Sequence, residues 1–187
     1  MVIGPFQLEW YHFGILAVLL VVLVWFGWGF LVPVRGTWER VDSDVKPGAL
    51  ERITFVQFGP FVKGRRIMPG GFQEFSGLLR GRSVALTRRD HGRELILSQR
   101  FPEGIVDEID GTVTATMWLT LSADGQVLHG TFTPQRIEFT HHPPKVTSRR
   151  FLEAQFRRYK LVSREILDAE SGVPPKPGTE SPVRRTV

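Results

Sequence analysis

A mainly β fold carried behind one apolar helix is what this sequence predicts, from three observations. Residues 13–34 are uncharged and almost wholly apolar. From Gly36 to Thr140, β-branched and aromatic segments recur at about 8–12-residue spacing between Gly and Pro breaks. Thr112 to Ser122 alternates apolar and polar residues, the pattern of a half-buried antiparallel strand. The expected architecture is a meander closed into a β-barrel, with a β-sandwich as the second choice, because an open sheet of this size leaves apolar faces uncovered.

The apolar run Phe13 to Val32 (FGILAVLLVVLVWFGWGFLV) holds twenty residues without a charge, the length a helix needs to cross about 30 Å of hydrocarbon. A core helix of a soluble protein is apolar along one stripe; this run is apolar on every face. Trp10 and Tyr11 stand at one end, and Trp25, Phe26, Trp28 and Phe30 at the other, as in the aromatic belts of the two interfaces. The leader MVIGPFQLEWYH has no Lys or Arg, and no small-x-small cleavage site follows, so the helix reads as a retained anchor and not a signal peptide. Glu9 is the only charge before it, whereas Arg35, Arg40, Lys46 and Arg52 follow it. The positive-inside rule then places a single-pass protein in the cell membrane with its body on the cytoplasmic side. The expected organisation is a short leader over 1–12, a transmembrane helix over 13–34, a β domain over 35–166 with a basic C-terminal segment, and a disordered tail over 167–187.

Along the body, Gly36 to Val41 is strand-like, and Asp42 to Leu50 with Pro47-Gly48 is a loop. Ile53 to Phe58 is a strand broken by Gly59-Pro60, Phe61 to Met68 returns, and Pro69-Gly70-Gly71 ends it. Phe72 to Arg80 alternates up to Gly81. Ser83 to Arg89 is expected to pair with Glu94 to Gln99 across the tip Asp90-His91-Gly92-Arg93. Val113, Ala115, Met117, Leu119 and Leu121 form the inner face of the clearest strand, large enough to fill a barrel. Ala123-Asp124-Gly125 turns the chain into Gln126 to Thr133. Pro134 then interrupts it, marking a bulge or an edge, before Arg136 to Thr140. No helical period competes between Gly36 and Thr140. Beyond it two readings stay open: a short basic helix capped by Ser148 with Leu152, Phe156, Tyr159 and Ile166 on one side, or a last barrel strand from Tyr159 to Ser163. The Pro- and Ser-rich tail offers nothing to a core.

The formal charge of +5 is uneven: residues 145–164 hold seven Lys or Arg against one acid, whereas residues 35–144 hold 14 against 13. Beside a membrane anchor, Arg149, Arg150, Arg157, Arg158 and Lys160 are expected to meet anionic lipid. The aromatics are not interleaved as a base-stacking platform, so no nucleic acid is expected.

Gly36-Thr37-Trp38 at the head of an antiparallel meander resembles the G-x-W signature of lipocalin-like calycin barrels. The resemblance implies an eight-stranded barrel with Trp38 plugging its closed end. It also implies a basic residue near the last strand packed across the ring, a place that Arg157 or Arg158 fills by position. The family's cysteines are missing, and its members are usually secreted.

The chain has no cysteine, which excludes a disulfide framework, thiolate zinc sites and cysteine catalysis. Of the histidines, only His129 is placed to face a barrel interior; adjacent His141 and His142 diverge on a strand. Asp107, Glu108 and Asp110 lack the spacing of a calcium loop and read as a solvated turn. Lys63, Arg65, Arg66 and Arg88, Arg89, Arg93 read as a rim. No nucleophile elbow, P-loop or dinucleotide fingerprint occurs, so no catalytic, metal or cofactor residues are assigned. The expected function is an accessory or scaffolding β domain at the membrane surface, whose partners are membrane lipids and other membrane-associated proteins. The alternative is a lipocalin-like binder of a lipid or other apolar ligand, and the third reading is an enzyme at the barrel mouth.

Overall fold

The computed structural model describes residues 10–42 and 51–165. Residues 1–9 of the expected leader, residues 43–50 of the expected loop, residue 166 and the expected disordered tail over 167–187 lie outside the described residues.

The apolar run is helical from Trp10 to Leu31 (α1), has no polar face, and is solvent-exposed at nearly every described side chain. It is long and apolar enough to cross a membrane. Behind it the chain is an antiparallel meander: β1 (Gly36–Arg40), β2 (Arg52–Phe58), β3 (Phe61–Met68), β4 (Gly71–Arg80), β5 (Ser83–His91), β6 (Val113–Leu121), β7 (Val127–His141), β8 (Pro144–Phe151) and β9 (Gln155–Ser163). β1 to β6 pair in sequence, β6 pairs with β7, β7 with β9, and β9 with β1. Eight strands therefore close into a barrel. β8 stays outside the ring and pairs only with the distal half of β7.

Alternation decides what fills the ring. Ile53 and Phe55, Val84 and Leu86, and Ala115, Met117, Leu119 and Leu121 are all buried at every second position. Trp38, Phe55, Phe75 and Tyr159 rank among the largest fully buried side chains, and the rings of Phe55 and Phe75 meet edge to face at 6.2 Å. Gly64 faces the same space, and any Cβ there would strike the Phe55 ring. Pro134 lies opposite Ala115, the last barrel pairing of β7. Beyond it the strand leaves the ring and pairs with β8, which agrees with the expected edge.

Three expectations are corrected. Residues 93–98 form a helix (α2, Arg93–Ser98) instead of pairing with β5, which pairs with β6. Leu95 and Ile96 are buried side by side, which a strand open to water on one face would not allow. A 3-10 turn at Glu103–Ile105 and a further helix α3 (Val106–Ile109) follow, so Asp107 and Glu108 sit on a helical turn. The basic helix expected over 148–166 is absent from its described part, and the strand alternative holds for β9. Arg157, Tyr159 and Leu161 alternate inward with Phe156, Arg158, Lys160 and Val162 outward, and backbone pairing with β1 and β7 satisfies both edges. α2, the 3-10 turn and α3 bury Ile96, Ile105, Val106 and Ile109 against Ile137, with Phe139 and Val146 packed alongside. This second small core supports the β7–β8 hairpin where it projects beyond the barrel.

Candidate functional site

Strand direction gives the barrel two unlike ends. The end next to α1 holds the turns after β2, β4 and β6, and the start of β1. The far end holds the turn after β3, the α2–α3 segment and the β7–β8 hairpin.

At the near end, helix and barrel are joined without slack. The last carbonyls of a helix have no partner within it, and Gln57 supplies one from β2. Its Nε2 donates to the carbonyls of Gly29, Val32 (3.1 Å) and Gly59 (3.0 Å), while its Oε1 accepts the Val34 N–H at 2.6 Å. The Val34 carbonyl in turn accepts the Trp38 indole N–H at 2.8 Å, and Val32 and Val34 both belong to the barrel core. Gly29 lies against the backbone of Gly59 and Pro60, where any Cβ would collide. Phe58 packs edge-on against Phe26 and Phe30, and Phe61 against Trp25. The Trp28 indole donates to Gly81 O at 3.3 Å. An apolar groove of about 410 Å³ runs along α1 between Leu20, Val21, Val24, Trp25 and Trp28.

Trp38 closes this end with no exposed surface, and a guanidinium does lie over its ring, at 5.8 Å from the centroid. The residue is Arg164, in place of Arg157 or Arg158. Burial lowers its pKa, and it donates to Pro33 O (2.6 Å), Arg35 O (3.2 Å) and Gly125 O (2.7 Å). The strand direction explains the difference: β9 runs toward α1, so Arg157 lies at the far end and Arg164, just past the strand, at the near one.

The far end of the barrel interior is polar. Arg40, Arg66, Arg88 and Arg157 point inward with Asp42, Glu51 and Asp90. Arg40 pairs with Asp42 at 2.7 Å and Glu51 at 3.1 Å, Arg66 with Glu51 at 2.9 Å, and Arg157 approaches Asp42 at 4.0 Å. Asp90 accepts from Arg88 at 3.0 Å, Thr114 at 3.1 Å and Gln99 at 3.1 Å, the last reaching in from just after α2. The ring of Phe132 lies between the guanidiniums of Arg88 and Arg157, at 5.4 and 5.3 Å. Sequence reasoning missed this network. Its signal is inward parity continued past the apolar stretch: Trp38 to Arg40, Leu86 to Arg88 and Asp90, Val62 to Arg66.

The expected lipid-facing cations do not share one surface. Arg157 is inside the barrel mouth, Arg158 and Lys160 lie on the outer wall, and Arg149 and Arg150 are on β8 at the end remote from α1. Arg150 pairs with Glu138 at 3.2 Å, and Arg149 donates to Glu108 O at 3.3 Å. His129 is on the outer side of β7, next to buried Leu128. His91 stacks on Phe72 at 4.8 Å at the far end of β5. Among the described residues no three ligating side chains converge as a metal ion requires. On the outer wall a shallow groove of about 470 Å³ runs past Trp118, Ser76, Thr87, Thr116, Thr131 and Thr133. Trp118 is 44% exposed there.

Compared with known proteins, the chain matches no family model, and neither a curated protein nor a solved structure is found similar to it.

Proposed function

We propose that this protein is a single-pass, membrane-anchored β domain that acts as an accessory or scaffolding element at the cytoplasmic membrane surface. The observation that carries this reading is the contrast between the two apolar bodies. The barrel buries its large side chains inside itself, whereas α1 leaves almost every side chain outside, which only a nonaqueous neighbour relieves. The capped, aromatic-packed joint between them suits a domain held at a fixed attitude to the bilayer. An interior occupied by Trp38, Phe55, Phe75 and Tyr159 supports a scaffold over a carrier of apolar ligands. With one end committed to the helix, the outer wall around Trp118 and the β7–β8 hairpin are the surfaces left for membrane-associated proteins.

The test uses the full chain in cells. It is expected to stay with membranes through alkaline carbonate extraction, and Leu20→Arg with Val24→Arg is expected to release it. A reporter active only in the cytoplasm should work when fused after Val187. A full-length protein extracted as readily as the double variant overturns the anchor, and activity of an export-dependent reporter at the same point overturns the sidedness.

A further inference from the structure

The near end of the barrel carries an apolar feature that packing against α1 does not use up. Phe58 and Phe61 flank the Gly59-Pro60 turn between β2 and β3. Although both touch helix aromatics, they remain 66% and 50% exposed. Two exposed phenylalanines on one hairpin tip, touching the aromatics of α1, extend the apolar surface of the helix into one contiguous patch. The helix shows the depth at which they lie. Phe61 meets Trp25, six residues before the last helical residue Leu31, which at ~1.5 Å rise per residue is about 9 Å back along the axis. The turn therefore runs beside the last two turns of α1 instead of stopping at its end. The neighbouring turn after β4 is held there too, through Trp28 and Gly81 O. Whatever medium surrounds Trp25, Phe26 and Trp28 also surrounds the tip of the β2–β3 turn. Cations are exposed at this end of the barrel. Arg35, Arg80 and Arg82 are exposed at the same end, and Arg82 also donates to Leu121 O at 3.2 Å.

We propose that the β2–β3 turn, through Phe58 and Phe61, is a second membrane-inserting element beside α1, and that Arg35, Arg80 and Arg82 around it bind anionic lipid headgroups. The partner is a bilayer surface: aromatic side chains favour the interfacial layer, and the basic side chains match phosphate at the same depth. This rests on α1 spanning the membrane, and it moves the lipid contact from the remote Arg149 and Arg150 to the end where the helix leaves the barrel. The closed end of the barrel is then seated in the headgroup layer, and the β7–β8 hairpin is directed away from it.

The absence of cysteine makes the test direct. Single cysteines replace Leu20, Phe58, Phe61 and Thr147 in the otherwise complete chain, each carrying a nitroxide. The proteins are reconstituted in vesicles of phosphatidylcholine, with and without phosphatidylglycerol. Collisions with oxygen, which concentrates in lipid, are compared with those of a water-soluble nickel chelate. Labels at 58 and 61 are expected to favour oxygen several-fold, like Leu20 and opposite to Thr147. Phosphatidylglycerol should deepen them, and Arg35→Glu with Arg80→Glu should cancel that deepening. Two label sites on the turn keep the outcome readable if one substitution disturbs folding. If Leu20 is lipid-buried while 58 and 61 match Thr147, the inserting turn is overturned and the anchor stands. If Leu20 itself matches Thr147, both are overturned. Turn labels in lipid with no response to phosphatidylglycerol overturn the headgroup site alone.

Discussion

Gln57 Oε1 accepts the Val34 N–H at 2.6 Å, so a side chain of the second strand holds the backbone that links the apolar helix to the first. The same amide group donates to Val32 O and Gly59 O, and Val34 passes the restraint on to Trp38. Gln57→Ala removes all of these partners at once and leaves partly buried groups unsatisfied. An unmade bond to such a group costs about 1–3 kcal/mol, so the thermal midpoint in detergent should fall by about 5–10 °C. Truncation should show the same dependence. A chain beginning at Val32 keeps the Val32 and Val34 core contacts and should fold, whereas one beginning at Gly36 should melt lower. Equal midpoints for the two truncations would mean that the linker is not part of the barrel core.

Leu119 and Thr116 lie on opposite faces of β6. Leu119 has no exposed surface, while Thr116 borders the outer groove. Leu119→Asp buries a carboxylate without a partner, at a cost of several kcal/mol against a total stability of about 5–15 kcal/mol. It should unfold the domain, and Thr116→Asp should shift the midpoint only slightly. Far-UV circular dichroism during heating separates the two.

The ease with which residues reveal their place follows from how local their signal is. The apolar helix and the inward row Ala115, Met117, Leu119 and Leu121 are written in neighbouring residues; the row is where the sequence places it, while the helix runs from Trp10 to Leu31 instead of over 13–34 because Val32 and Val34 are drawn into the barrel core. Barrel closure follows from covering apolar faces, a requirement that composition states without saying which strands meet. Glu94 to Gln99 (ELILSQ) fails as a strand expectation because its apolar residues suit either period over so short a length. Packing against Ile137, more than forty positions on, decides for the helix. Charge density alone marks residues 145–164, but β8 pairs with the distal half of β7 outside the ring and β9 with the half inside it, so their arginines fall on the projecting hairpin, the barrel mouth and the outer wall. Parity points the inward arginines toward the core, but not to their partners. Arg40, Arg66, Arg88 and Arg157 are far apart in the chain, and only the ring brings them together.

Asp90 is the buried hub of that ring's far end, 1% exposed and accepting from Arg88, Thr114 and Gln99. Asp90→Asn keeps the shape but leaves the Arg88 guanidinium without its counter-charge. Breaking a buried pair from one side costs about 3–5 kcal/mol, and the low end applies here because Arg88 keeps 20% of its side chain exposed. Chemical denaturation should register a loss of about 3 kcal/mol. Arg93→Ala, which removes the exposed pair with Glu103, should cost no more than about 1 kcal/mol. Similar losses for the two variants would place Asp90 in a more solvated setting than its burial indicates.

Tyr159 gives the fold a signature at alkaline pH. Its ring is buried within the barrel. Desolvation, and secondarily the Glu51 carboxylate, raise its pKa far above that of a free phenol, with the Arg40 guanidinium opposing only in part. The sign of the linkage follows from which state keeps the proton. Above about pH 10 a tyrosine in the unfolded chain ionises while Tyr159 in the barrel stays neutral. The folded state then binds more protons, so stability falls as pH rises. The contribution is fully present below that point and declines steadily above it. The chain has two tyrosines, and Tyr11→Phe leaves Tyr159 alone. In that variant the tyrosinate absorbance should stay flat through the range where a free phenol titrates, then rise together with the loss of near-UV circular dichroism. Tyr159→Phe should remove that step and flatten the decline in stability between neutral and strongly alkaline pH. A tyrosinate signal that develops near pH 10 while the near-UV spectrum is unchanged would show that water reaches the phenol, and with it the interior of the barrel.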